Sequence, residues 1–380
     1  MYTAPMNKRI NRSVFNEKLI QKGLNPAGLA QKLGVSRAAV SKWLAGEALP
    51  KPDKLLRIGM ILGAKYDDLV QTEPSLIAEP VVAYRAKANR RTREHHVVWA
   101  KEAGVRLRNL VPCLPNNMQK PPVLREPTPD YEYVKRLAEK VRAEIGCPDQ
   151  NPVERKDLLG LFDKLHAVLI PVFWGDVEHH GNALHVYLPD SMTTWVWLNL
   201  DSKNEDFMFW MAHELGHAYA PDLTGDEAED FSDLFAQLLL FPHPCVQKTY
   251  AQLIGKSPNE QWHVIEKEAT RRTISFYTII KAMDRYALET DSQRIDFRKE
   301  DISSRFDVSK KVAPSVTEIL FKSIPPSPEE YLNVAEREFK TPFFAALRVL
   351  NKTKPLSEHF LSNVTNASLV DAKALAEALC

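Results

Sequence analysis

Cysteine is scarce in this 380-residue chain, and the four present, Cys113, Cys147, Cys245 and Cys380, lie far apart with no CxxC spacing. That argues against a disulfide framework and against a cysteine-built zinc site, leaving buried or incidental thiols. Long apolar runs are also missing, so no segment has the length of a membrane span. The start, Met1 to Arg9, lacks the apolar core of a signal peptide, and a cytoplasmic protein is expected. No internal repeat is evident. Net charge is nearly absent too, at +1.

That near-neutrality hides an asymmetry. Residues 1–125 hold 22 Lys and Arg against 9 Asp and Glu, a net +13, whereas residues 126–380 hold 28 against 40, a net −12. A polyanion therefore suits the front third and not the rest. With 44% hydrophobic and 26% charged residues, the chain has the composition of a soluble protein with room for two or three domains.

Histidines number only 11, so the run His213-Glu214-Leu215-Gly216-His217 would arise by accident in roughly 2% of chains of this composition. On a helix, both imidazoles lie on one face a turn apart, able to share Zn²⁺, and Glu214 reaches the water that the metal activates. The flanks favour a helix: Ser202 or Asn204 is expected as cap, Glu205 and Asp206 suit the positive end of the dipole, and Pro221 stops it. Phe207, Trp210, Met211 and Leu215 form its apolar stripe.

A second helix is expected from Asp226 to Phe241, acidic at its start and closed by Pro242. Glu229 and Asp233 stand one turn apart there. Glu229 is taken as third metal ligand and Asp233 as acceptor for the outer nitrogen of a ligating histidine. Asp226, Glu227 and Asp230 are rival ligands. Zn²⁺ so held leaves a fourth position for water, with Glu214 as general base and then acid. No oxyanion-stabilising group is identified, although Tyr219 is near in sequence. His179, His180 and His185 read as loop or strand histidines, and the sequence does not place His243 or His263.

Together with the strand-like Trp195–Asn199, the HELGH helix and the acidic helix ending Leu239-Leu240-Phe241-Pro242 resemble the ImmA/IrrE-type metallopeptidases from about Tyr131 to Pro242. The resemblance implies a gluzincin-like zinc protease with two histidines and a glutamate on the metal, of a kind that cleaves helix-turn-helix repressors. It departs at Phe231, where the family commonly has a second glutamate.

In the front third, Leu24 to Gly46 reads as helix, tight turn at Gly34, helix and glycine stop. Asn25 and Ser36 are expected caps, with Pro26 at a first helical position. Lys54–Gly63 adds an amphipathic helix. This resembles an Xre/lambda-repressor-type helix-turn-helix over about Phe15 to Val70, which implies that the second helix enters the major groove of double-stranded DNA. Ser36, Arg37, Ala38, Ser41 and Lys42 are then the candidate contacts, Arg37 suited to guanine, Lys42 to phosphate, and Ser36 chiefly to capping.

Between these regions, Arg85, Lys87, Arg90, Arg91, Arg93, Lys101, Arg106 and Arg108 interleave with apolar residues as a basic helix, broken near Gly104. It either extends the DNA footprint or packs as a connector. Pro112, Pro115, Pro121, Pro122, Pro127 and Pro129 follow as a semi-rigid linker. Downstream of Pro242 helices dominate without a trusted motif, and this region is expected to cover the peptidase core, support a dimer or offer a sensor surface.

The expected fold class is α+β, mostly α. A helix-turn-helix bundle spans 10–71, a basic helical and Pro-rich linker 72–130, a metallopeptidase domain with a small sheet 131–245, and a helical region 246–380. The function expected is a DNA-binding transcriptional regulator, a homodimer, with a zinc-dependent peptidase cleaving a repressor or itself in a stress, prophage or defence response. One alternative is a non-catalytic transcription factor or antitoxin whose metal domain senses. Another is a protease whose helix-turn-helix recruits a protein partner.

Overall fold

Capping chemistry sets the first helices. In the computed structural model, which describes residues 6–45, 49–74, 79–82, 94–115, 124–148, 150–174 and 182–379, α1 (Arg12–Gln21) starts at Asn11, whose side chain accepts from the Val14 N–H. α2 (Pro26–Leu33) starts at Asn25, which accepts from the Gly28 N–H at 2.8 Å, with Pro26 at the first helical position. It ends at Gly34, whose φ of +65° carries no Cβ penalty. Ser36 Oγ accepts from the Ala39 N–H at 3.2 Å and opens α3 (Arg37–Ala45). The stop expected at Gly46 lies outside the described residues.

α4 (Pro52–Leu62) and α5 (Tyr66–Leu69) follow, and β1 (Met6–Ile10) pairs antiparallel with β2 (Val70–Pro74). Phe15, Leu29, Val40 and Ile58 are fully buried among these helices. They form their own core, separate from the large one, and the chain divides accordingly into Met1–Glu79 and Pro80–Cys380.

The second unit begins with β3 (Val81–Val82) and α6 (Glu94–Leu107). α6 is the described part of the basic segment read as linker, and it is built into this unit. Ala100, Ala103, Leu107 and Leu110 are fully buried, and Trp99 packs edge-on against Trp174 and Trp197. Gly104 marks the tightest approach, since a Cβ there would sit 2.8 Å from Pro80 Cβ and 3.0 Å from Val186 Cγ1. The hydrophobic effect accounts for the seat of this helix. Arg85, Lys87, Arg90, Arg91 and Arg93 lie outside the described residues, as do Pro121 and Pro122.

α7 (Tyr131–Glu144) and α8 (Arg155–Lys164) lead into β4 (Val168–Val172), β5 (Ala183–Leu188) and β6 (Thr193–Asn199). The sheet order is β3-β5-β6-β4, with β4 and β6 parallel and the other pairs antiparallel. β6 is buried along its whole length, as a central strand covered on both faces should be.

α9 (Asn204–Tyr219) and α10 (Gly225–Leu240) pack against one another and form the helical floor under β5. Neither Ser202 nor Asn204 caps α9. Lys203 holds the N-cap position without a side-chain bond, and the chain is fixed instead by backbone pairing of Ser202 and Asn204 with Val316 and Pro314. Phe207, Met211 and Leu215 are fully buried as expected, and the helix ends before Pro221.

The C-terminal region continues as α11 (His243–Leu253), α12 (Pro258–Arg272), α13 (Phe276–Glu289), α14 (Lys299–Val312), α15 (Val316–Leu320), α16 (Pro328–Phe339), α17 (Phe343–Thr353), α18 (Glu358–Thr365) and α19 (Leu369–Ala378). It shares one core with the sheet rather than forming a layer apart. Trp197 Nε1 donates to the Val364 carbonyl at 2.7 Å and Thr341 Oγ1 to that of Leu169 at 2.7 Å. Such side chain to backbone bonds across distant segments satisfy buried polar groups that would otherwise cost about 1–3 kcal/mol each. Among the described residues, no helix is long and apolar enough to cross a membrane.

Candidate metal centre and nucleic-acid interface

Glycine decides how closely the two floor helices approach. Gly216 of α9 faces Ser232 of α10, and a Cβ on it would fall 2.7 Å from Ser232 Cα. This close packing brings the start of α10 beneath the histidine face of α9. His213 and His217, four residues apart, turn their Nε2 atoms to within 3.1 Å of each other. Glu229 closes the triangle, Oε2 3.5 Å from His213 Nε2 and Oε1 3.3 Å from His217 Nε2.

These separations fit a tetrahedral ion, whose bonds of about 2.0–2.1 Å place neighbouring ligand atoms roughly 3.3–3.4 Å apart. His213, His217 and Glu229 are all buried, and they form the one group of this kind among the described residues. Glu227 and Asp230 are exposed and Asp226 is outside the group, so Glu229 is the carboxylate that meets the histidines.

Asp233 Oδ1 stands 3.0 Å from His213 Nδ1, an ion-pair contact without hydrogen-bond alignment. It places a carboxylate on the outer nitrogen, where it favours the tautomer with Nε2 free.

The electrostatics are those of two imidazoles and a carboxylate crowded together out of water. Burial disfavours charge on His213, but Asp233 and Glu229, with the charge of Glu214, outweigh it and raise its pKa to about 10. Burial pulls His217 down despite Glu229. Glu229 is driven far below the usual carboxylate range by the two histidines, against the opposing effect of burial. One imidazole thus holds a proton at the place where a metal would hold both.

Glu214 is buried, and desolvation, reinforced by Glu229 and opposed by His213, lifts its pKa to about 8. Its Oε2 and the Nε2 of His185 are buried without hydrogen-bond partners. Orphaned polar atoms beside a triad of ligand atoms mark a place where a bound ion and its water would complete the bonding.

His185, read from sequence as a loop or strand histidine, does lie on strand β5, and the structure brings its ring to the cluster. Its ring lies 5.6 Å from that of His217. Strand alternation explains the direction: Val186 points to α6, so His185 points the other way, toward α9. His179 and His180 lie outside the described residues. Tyr219 packs against Phe235 at 5.4 Å, His243 bonds to the Tyr131 hydroxyl at 2.8 Å, and His263 is exposed, so none of the three joins the cluster.

A cleft of about 1720 Å³ opens on the outer side of His213. Trp210 and Asp233, which both meet His213, line it together with Tyr277, Lys281, Phe306 and Lys311 of α13 and α14. The C-terminal region is thereby part of the surroundings of the centre.

In the first unit, Ser36, Arg37, Ala38, Ser41 and Lys42 are all exposed at the start and along the outer face of α3, while Val40 and Trp43 anchor its inner face. A surface with Arg37 and Lys42 free to reach out is what major-groove entry requires. No curated protein matches the chain. A helix-turn-helix family model matches residues 16–69. The first unit is therefore a helix-turn-helix of the DNA-binding kind, and its role is that of a transcription regulator that binds double-stranded DNA.

Proposed function

We propose that this protein is a DNA-binding regulator carrying a zinc-dependent peptidase that cleaves a helix-turn-helix repressor or the chain itself. The convergence of His213, His217 and Glu229 within tetrahedral spacing carries this reading. Zinc held there would polarise a scissile carbonyl and bring the pKa of water toward neutrality. Glu214 takes the proton of the attacking water and delivers it to the leaving amine. Asp233 keeps His213 oriented.

β5 lies over α9, and the substrate is proposed to add as an extended strand beside it, as peptides do along sheet edges. A regulator that merely senses metal has no use for Glu214, so its presence favours hydrolysis over sensing.

Elemental analysis tests the centre. Wild type is expected to carry about one zinc per chain, lost in His213→Ala and Glu229→Ala. Absence of metal after zinc is supplied would remove the peptidase reading and leave a regulator with a metal-free second unit.

The DNA arm has its own test. Affinity for an operator is expected to fall steeply with salt, and Arg37→Ala should weaken it about tenfold, within the range for one bidentate base contact, at unchanged metal content. Normal binding by that variant would remove Arg37 from the readout. For the expected homodimer, the exposed Leu56 and Met60 of α4 offer an apolar face to a second copy.

A further inference from the structure

His185 is buried to 3% exposure, lies on the strand face turned toward α9, and packs its ring at 35° to that of His217. Its Nε2 has no hydrogen-bond partner. A nitrogen so placed is destabilising unless something bonds to it. No described protein group does so, and the ring packs against His217 of the triad formed with His213 and Glu229.

Resting on the peptidase reading of that triad, we propose that His185 is a further catalytic residue. Its imidazole donates the Nε2 N–H in a hydrogen bond to the carbonyl oxygen of the scissile peptide as that oxygen gains negative charge. The imidazole keeps its proton throughout. The remaining candidate by sequence, Tyr219, is turned into the packing against Phe235.

Acetohydroxamate carries an anionic oxygen of the required kind and reads this interaction without turnover. The full-length protein is loaded with Co²⁺, and the probe is titrated by its effect on the visible bands. His185→Phe fills the same space without a donor and is expected to weaken acetohydroxamate at least tenfold, as for loss of a hydrogen bond to a charged group. His185→Gln, which retains an N–H, should recover part of the loss, and both variants should bind Co²⁺ as wild type does.

Equal acetohydroxamate affinity in wild type and His185→Phe would overturn the role of His185 while leaving the metal reading intact. Equal losses in the Gln and Phe variants would reduce the residue to packing. A wild type that shows no cobalt bands would overturn both the metal reading and this one.

Discussion

Glu214→Gln is expected to keep its zinc and lose cleavage of any polypeptide the wild type cuts, by about 10²–10⁴-fold in kcat, the usual worth of a positioned acid–base group. The substitution changes one oxygen for nitrogen and leaves the three ligands alone, so metal content isolates chemistry from assembly. The carboxylate stands beside His213 in sequence, is 4% exposed, and has Oε2 without a partner. A group retained at that cost has a task when substrate is present. Burial above all raises its pKa. Parallel assays of cleavage and zinc decide the matter, and an unchanged rate would sink the mechanism.

Gly216→Ala should produce the largest effect of any substitution outside the ligands and base. The new Cβ meets backbone, Ser232 Cα at 2.7 Å, not the yielding tip of a long side chain. α9 and α10 must move apart, and overpacking of this kind costs about 1–3 kcal/mol. Glu229 sits on α10 three residues before Ser232, so the same movement draws the carboxylate away from both histidines. Tm should fall by a few degrees and zinc affinity by tenfold or more. Ser232→Gly added to the variant should rescue only in part, since the clash with the backbone of residue 232 remains. A variant with wild-type Tm and zinc affinity would show that Gly216 does not set the helix spacing.

Much of this was legible in the residues, and the reason differs from element to element. The first-unit helices follow from local chemistry: Asn25, Pro26, Gly34 and Ser36 each act within four residues of themselves, so their caps and turn were open to reading. The meeting of His213 with His217 is likewise local, a property of helical period. Glu229 was within reach because α10 directly follows α9, although its rivals were excluded only by burial.

His185 was not legible. Alternation shows that it and Val186 face opposite sides, but nothing in the sequence says that α9 lies on the histidine's side. The cap expected from Ser202 or Asn204 failed for a similar reason, because segments around Pro314 and Val316, over a hundred residues away, take those backbone bonds. The destination of α6 was hidden as well. Its basic residues spoke for a polyanion, and its small apolar ones, Ala100, Ala103 and Gly104, gave no sign of how closely Pro80 and Val186 would press on them.

That seat of α6 determines what a break in the chain would accomplish. A cut in the proline-rich stretch between Pro115 and Leu124 would sever the backbone, yet the piece carrying the helix-turn-helix would still hold Ala100, Ala103, Leu107 and Leu110 inside the core of the other. The two pieces would stay together like a nicked but undissociated duplex. A cut on the N-terminal side of α6 would instead leave that core with all of its chain, so the position of a break relative to α6 decides whether it passes through the core of the second unit.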